Sequence, residues 1–511
     1  MGGPPVVYTL LVMLAIFAIR QVVAKIQFKR KYKLPPTIPG WPIVGNTLNM
    51  PIPSGMWGHE MAMKYGEMYT CNLAGRLWVY INSSRVVNDL MEKRAAIYSA
   101  RPNRPLAQDL LSGGRRILLM STTERWKLQR KVMHSVLNGP NANKTFMPYQ
   151  ELESKQLVVD YLENPDKFYV ANQRFSNSVI MSVTFGRRAK LDDKQLRRIM
   201  TQMEEFAQIF FDPLKSLPDI FPIMARFPKF MQWWRPWGED YYRRTVETYQ
   251  IEVDNLMKKM EAGTARPCFA LDVIQGSEKK QFQMDHEEKL FVYATLLEAG
   301  SDTSRTAITQ MVAAAALYPE WVKKAQGLLD EVCGANAERL PTFADKEALP
   351  YISAATKETL RWRPFIQSGV PHELTQDDEY EGYKFPKGTQ VTWNAMAIAL
   401  NEDDYYQAHD FIPERFLNED LKFPLKGTWG FGTGRRVCIG YTVGFNNVWL
   451  ATACLLYCFN FEQYPDSPID SYNTTWEAYN HSPFRLKVTP RSPAHVELIK
   501  RMGAEAAAED Y

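Results

Sequence analysis

The tightest constraint on this chain is one short stretch, residues 431–440, which reads Phe-Gly-Thr-Gly-Arg-Arg-Val-Cys-Ile-Gly. It sets a single cysteine, Cys438, between glycines and behind two arginines. Positive charge nearby favours the thiolate, the form of cysteine that ligates metals. Gly434 and Gly440 carry no Cβ, so the loop can turn tightly and come close to a flat ligand. Amide N–H groups freed by such a turn can point at the sulfur and moderate its charge. The uncharged run Tyr441–Cys458 that follows reads as a long buried helix, whose N-terminal end also favours an anion. A lone cysteine in a glycine turn is most often a buried structural residue. Glycines and arginines in this arrangement suit instead a single axial thiolate ligand to a haem iron.

Phe431, Gly434, Arg436, Cys438 and Gly440 fill every fixed position of Phe-x-x-Gly-x-Arg-x-Cys-x-Gly. The loop thereby resembles the haem-binding signature of the cytochrome P450 family. Other stretches resemble that family's motifs, in the family's order. In Glu124-Arg-Trp-Lys-Leu-Gln-Arg-Lys131, Trp126 and Arg130 lie one helical turn apart and share a face. Read alone this is an amphipathic surface helix; the resemblance gives the pair to a haem propionate, which an arginine suits through charge-assisted bonds.

The helical pattern 287–317 contains Ala299-Gly-Ser-Asp-Thr-Ser304, a glycine followed by side chains that bond backbone. Read alone it is a tolerated polar kink. The resemblance implies that Ala299 and Gly300 open space for dioxygen, while Thr303 and Asp302 deliver protons to it. That chemistry needs a hydroxyl beside the oxygen and a carboxylate leading to solvent. The helical pattern 350–363 contains Glu358-Thr-Leu-Arg361, by itself an ordinary helical ion pair. The resemblance joins Glu358 and Arg361 to Arg415, in Phe411-Ile-Pro-Glu-Arg-Phe416, as a structural network under the haem. Gly369-Val-Pro-His372 resembles the strand whose basic residue reaches a propionate. A neutral histidine donates only one such bond, which leaves Arg436 the stronger candidate. One departure is visible: 440–446 shows neither the alanine nor the glutamate that many relatives carry early in the last helix.

The resemblance implies a mainly α fold with a smaller β-rich part, a triangular prism, preceded by a single N-terminal transmembrane helix. The chain divides into a membrane anchor and basic juxtamembrane segment (1–33), a proline hinge (34–46), the catalytic domain (47–502) and a disordered tail (503–511). Residues 6–19 are uncharged and, with 22–24, approach the ~20 residues that span a bilayer. Arg20, Lys25, Lys29, Arg30, Lys31 and Lys33 follow, so the positive-inside rule leaves the rest in the cytosol. A cleaved signal peptide, the rival, would carry its positive charge in front and a small-residue cleavage site behind. Runs 68–73 and 77–81 around Ala74-Gly75-Arg76 predict a β-hairpin. Residues 206–237 hold nine Phe and Trp broken up by prolines, either core packing or a surface lying in the membrane interface.

A net charge of +4 gives no case for a nucleic-acid partner. Six scattered cysteines argue for a reducing compartment, and no Cys/His group has zinc spacing. The function implied by resemblance is a haem b monooxygenase of the endoplasmic reticulum membrane, single-pass, with its catalytic domain in the cytosol. It would insert one atom of O2 into a lipophilic small molecule. Electrons would come from NADPH through NADPH-cytochrome P450 reductase, with cytochrome b5 as a second candidate donor. Arg125, Lys127, Lys131 and Arg435 are the candidate docking cations. The run Ser99-Ala-Arg-Pro-Asn-Arg-Pro105 resembles fungal secondary-metabolism members, which implies an aromatic, polyketide, terpenoid or alkaloid substrate. Segments 105–117, 291–297, 365–370 and 479–484 are expected to line its pocket. Two alternatives stay open: a P450-fold peroxide isomerase or dehydratase working without O2, and a haem-thiolate binding protein without turnover.

Overall fold

The computed structural model describes residues 3–41, 44–51, 54–140, 142–190, 193–212, 214–472 and 482–509. The fold is mainly helical with small sheets, as expected. Helix α1 (Gly3–Lys31) is followed by an extended proline-rich segment that does not act as a free connector. Ile38 N–H donates to Thr70 O and Thr70 N–H to Pro36 O, both at 2.8 Å, so the segment lies along strand β1 (Met68–Leu73). A proline run has few amide donors but keeps its carbonyls, and an edge strand can use those. Strand β2 (Arg76–Ile81) pairs antiparallel with β1 in the predicted hairpin, with Arg76 inside the strand.

Four helices form the centre. These are α2 (Glu124–Leu137), α3 (Ala142–Glu163), α4 (Phe168–Phe185) and, after α5 (Lys194–Phe211) and α6 (Arg235–Glu261), the long α7 (His286–Leu317). Helix α7 starts where its sequence dictates. Asp285 Oδ1 accepts from Glu288 N–H at 2.7 Å and Glu288 Oε2 accepts from Asp285 N–H at 2.8 Å, a reciprocal capping box. It is buried from Leu290 through most of its length, so it runs as an axle through the domain. Gly300 is where α7 meets α4: a Cβ there would stand 2.5 Å from Ile180 Cγ1.

Helix α8 (Pro350–Trp362) begins with proline at its first turn, where the missing N–H costs nothing. Strand β3 (His372–Glu373) and a strand at Gln390–Trp393 extend the hairpin sheet, which continues parallel from β2 and then antiparallel. Helix α9 (Tyr441–Cys458) occupies the predicted residues, buried almost throughout, and runs directly into the strand Phe459–Glu462.

Two expectations change. The tail is not disordered over its first residues: helix α10 (Pro493–Ala508) carries them against α3. Ala506 is fully buried, Lys155 pairs with Glu505 at 2.7 Å, and Arg188 donates to Ala506 O at 2.6 Å. Small residues read as flexible in sequence are here good helix formers docked on a face. Residues 510 and 511 lie outside the described residues. At the other end, α1 is a helix, but among the described residues no helix is long and apolar enough to cross a membrane. The aromatic stretch 206–237 is core in part only: Phe206 and Trp234 are buried, whereas Phe230 is 88% and Trp233 63% exposed.

Candidate active site

A cavity of about 1010 Å³, part of it open to solvent, lies between α7 and the loop 431–440. Of the predicted site residues it is bordered by Trp126, Arg130, Ala299, Gly300, Thr303, Phe431, Arg436, Cys438 and Gly440. These come from three separated parts of the chain, and their convergence is what the motif order anticipated.

The loop is shaped by its backbone. Gly434 has φ +60°, and a Cβ there would sit 2.3 Å from Met91 O, an atom that cannot swing aside. Gly440 differs: its φ is −85° and a Cβ would meet no protein atom within 4 Å. Any need for glycine at 440 therefore comes from what enters the cavity. Glu92 holds the near side of the loop by accepting from Thr433 Oγ1 and, at 2.6 Å, from Gly434 N–H. Helix α2 holds the far side, where Arg130 Nη2 donates to Val437 O at 2.6 Å and Asn138 Nδ2 to Ile439 O at 2.7 Å. Cys438 keeps its accessible surface toward the cavity, with dense protein behind it. Burial pushes its thiol up, and the Gly440 N–H and the Arg130 charge oppose that rise.

We expect Gly434→Ala to cost at least ~1–2 kcal/mol, from the left-handed backbone and the Met91 contact together. Thermal melting of the purified protein should fall by several degrees, with Gly440→Ala as the milder comparison.

A family description, "Cytochrome P450", matches residues 35–488. The chain belongs to the cytochrome P450 family. Among similar proteins are the cytochrome P450 monooxygenase fogE of Aspergillus ruber, 32% identical over 86% of this chain and 82% of its own. Cytochrome P450 monooxygenase virE of Hypocrea virens is 30% identical over 93% and 88%, and verL of Clonostachys rogersoniana 33% over 94% and 91%. The chain is thus a cytochrome P450 monooxygenase, an oxidoreductase that incorporates molecular oxygen, and the family's cofactor is a haem iron.

The donor set of this P450 fits that group. Three guanidinium groups converge on the cavity: Arg130, Arg436 and one that the sequence reading did not single out, Arg101. Arg436 donates to Ser99 O and Met120 O, each at 2.8 Å, and stacks over Trp126 at 4.3 Å. Arg101 donates to Val370 O at 2.7 Å and to Pro371 O at 2.6 Å. Burial lowers all three, Arg436 to about 9, and their mutual repulsion adds to this for Arg101 and Arg436. Among the described residues none of the three forms an ion pair. Buried cations held only by carbonyls are stabilised when carboxylates arrive, as the two propionates of haem would.

Three predicted residues do not border the cavity. Asp302 sits one residue from Thr303, hence about 100° round the helix, and pairs with Arg305 at 3.3 Å. His372 Nδ1 donates to Tyr98 O at 2.5 Å, which turns the ring into the sheet. Burial, with Arg101 and Arg436 nearby, holds His372 well below its ordinary value and therefore neutral. Gly434 acts from behind the loop. Of the expected substrate-lining segments, 105–117 contributes Ile117 and 291–297 contributes Thr295 and Leu296. Residues 365–370 do not reach this cavity, and 479–481 lie outside the described residues.

Thr303 Oγ1 donates to Ala299 O at 2.7 Å. Below the site, Glu358 is fully buried. Arg361 donates to both of its carboxylate oxygens at 2.7 Å, Arg415 to one at 3.1 Å, and Ile412 N–H at 2.8 Å. The pair that reads as exposed in isolation is the centre of a buried network. On the outer face, Arg125 is held by Glu288 at 2.6 Å and Lys127 by Glu124 at 2.6 Å, while Lys131 and Arg435 are exposed.

Proposed function

We propose that this P450 binds haem b through Cys438 and inserts one oxygen atom into a lipophilic small molecule of fungal secondary metabolism. Electrons come from NADPH through a flavoprotein reductase, with cytochrome b5 as a second candidate donor. The observation that carries the reading is the placement of one thiol and one hydroxyl, Cys438 and Thr303, on the same cavity as three uncompensated arginines. Haem bound there would supply dioxygen activation, and a thiolate ligand favours O–O cleavage.

The chain's own contribution is position and charge. Arg101, Arg130 and Arg436 neutralise propionates and set the orientation of the ring. Ile117, Leu118, Ile180, Val183 and Leu296 give the cavity apolar walls that favour a lipophilic substrate and exclude water. Thr303 sets its hydroxyl on the cavity shared with Cys438, with its proton resting on Ala299 O, and Ala299 and Gly300 keep the neighbouring part of α7 small. Asp302 feeds that hydroxyl from outside the cavity and exchanges its Arg305 pair for solvent to do so.

Membrane seating is part of the proposal. Val12, Ile16, Ile19 and Val22 are all exposed on α1 ahead of the basic end Lys29–Lys31. Ile223, Phe230 and Trp233 form a second exposed apolar surface on the segment between α5 and α6. Both suit an endoplasmic reticulum bilayer, with the catalytic domain on the cytosolic side. Lys131 and Arg435 offer a reductase the exposed positive charge that speeds encounter.

The test is NADPH consumption by the purified holoenzyme with reductase, coupled to product from an extract that shifts the haem spectrum. Thr303→Ala should keep the carbon monoxide spectrum and divert NADPH toward peroxide, cutting product per NADPH about 100-fold, the low end of general acid–base contributions. Product formed without NADPH and reductase would remove the monooxygenase reading.

A further inference from the structure

The helix behind Cys438 carries two amides early in its length, Asn446 and Asn447. We propose that Asn447 is a positioning residue, tying the helix behind Cys438 to α7 at Ser304 and thereby setting where Thr303 stands across the cavity. The proposal rests on the haem-thiolate reading above.

Asn447 Nδ2 donates to Ser304 Oγ at 3.1 Å. Asn447 Oδ1 accepts from Gln150 Nε2 at 2.6 Å, and the same nitrogen donates to Val443 O at 3.0 Å. The amide orientations follow from the partners. Val443 O is a carbonyl and can only accept, so the Gln150 atom facing it is nitrogen. The Asn447 atom facing that nitrogen is then oxygen, which leaves the Asn447 nitrogen for Ser304. Gln150, Asn447 and Ser304 are 1%, 2% and 3% exposed, so each bond is made out of reach of bulk water. Losing one strands a buried amide or hydroxyl.

The geometry gives this chain a purpose beyond packing. Val443, Asn447, Ser304, Thr303 and Cys438 all border the same cavity. Asn447 rides on α9, which begins immediately after the Cys438 loop, and Ser304 is the neighbour of Thr303 on α7. One hydrogen bond therefore joins the thiol-bearing side of the cavity to the hydroxyl-bearing side. Thr303 Oγ1 is bonded within its own helix, to Ala299 O, so the hydroxyl goes where α7 goes. A carboxylate at 447 could accept from both Gln150 and the Ser304 hydroxyl and so keep the tie with its direction reversed, whereas an aliphatic side chain could bond neither.

The experiment uses the full-length holoenzyme, its ferrous carbon monoxide complex, and the single variants Asn447→Leu and Ser304→Ala with their double. Asn447→Leu keeps the size of the side chain and removes every hydrogen bond at 447; Ser304→Ala removes the partner on α7. Two readouts need no substrate: the infrared C–O stretch, which senses polar groups beside the bound gas, and hydrogen exchange of amides 299–306. Each single variant should shift or broaden the C–O band and speed that exchange about fivefold, the size expected for one buried hydrogen bond. The double variant should do no more than the stronger single, because both remove the same bond. A C–O band unchanged in both singles, or effects that add in the double, would overturn the proposal even if melting temperature fell. A wild-type chain giving no thiolate-type carbon monoxide complex would overturn the haem reading itself, which is a different failure.

Discussion

Replacing Cys438 by serine should abolish the red-shifted spectrum of the ferrous carbon monoxide complex. The change swaps one atom, and the loop should survive it. Cys438 N–H donates to Phe431 O at 2.8 Å, and the flanking carbonyls of Val437 and Ile439 are held by Arg130 and Asn138, none of which uses the sulfur. The effect therefore separates ligation from folding. A serine hydroxyl beside Arg130 remains neutral near pH 7 and lacks the polarizable charge that thiolate puts on the iron. Haem should be retained partly, because the three arginines are untouched, but product formation with reductase should fall by at least two orders of magnitude. Survival of the wild-type carbon monoxide spectrum in Cys438→Ser would show that the iron ligand lies elsewhere.

Removing the Glu358 carboxylate should be the most damaging change outside the cavity. In Glu358→Ala, the guanidinium groups of Arg361 and Arg415 lose a fully buried partner and stay in place, with side chains only 1% and 6% exposed. Breaking a buried ion pair from one side costs about 3–5 kcal/mol, against a total domain stability of about 5–15 kcal/mol. The Ile412 N–H loses its acceptor as well. We expect little or no folded haem protein from Glu358→Ala, and a measurable but destabilised protein from Glu358→Gln, which retains an acceptor. Expression followed by thermal melting checks both. A near-normal melting temperature for Glu358→Ala would mean that the network contributes no more than a surface pair, ~0–1 kcal/mol.

This contrast shows what a short motif can and cannot say. Glu358 and Arg361, three apart on a helix, are written identically whether they face solvent or core. Only the segment around Arg415, folding back from far along the chain, decides which. The same holds for Trp126 and Arg130, whose shared face was legible from spacing, whereas their third cationic neighbour Arg101 was not. Arg101 joins them because its stretch pairs antiparallel with the strand that carries His372, through Ala100 and Glu373. Arg101 and Arg436 in turn help keep His372 neutral, and the ring turns to Tyr98 O instead of the cavity.

Regular elements set by local periodicity were readable almost to the residue: the helix Tyr441–Cys458, α7 over 287–317, and the hairpin. The tail misled because alanine-rich, acidic sequence is compatible with disorder until a docking face exists for it.

Taken by itself, the sequence determined which residue is the candidate ligand. Cysteine is the one residue in the 431–440 loop able to supply a thiolate, and chain connectivity alone places it beside Gly434, Arg436 and Gly440. Tertiary structure decided which groups meet that thiolate across the cavity. It turned Thr303 inward and Asp302 aside, brought Arg101 in, and joined Asn447 to Ser304. Those outcomes depend on how helices rotate and pack against one another. Burial and electrostatics act through space between segments far apart in the chain, and linear spacing carries no record of them.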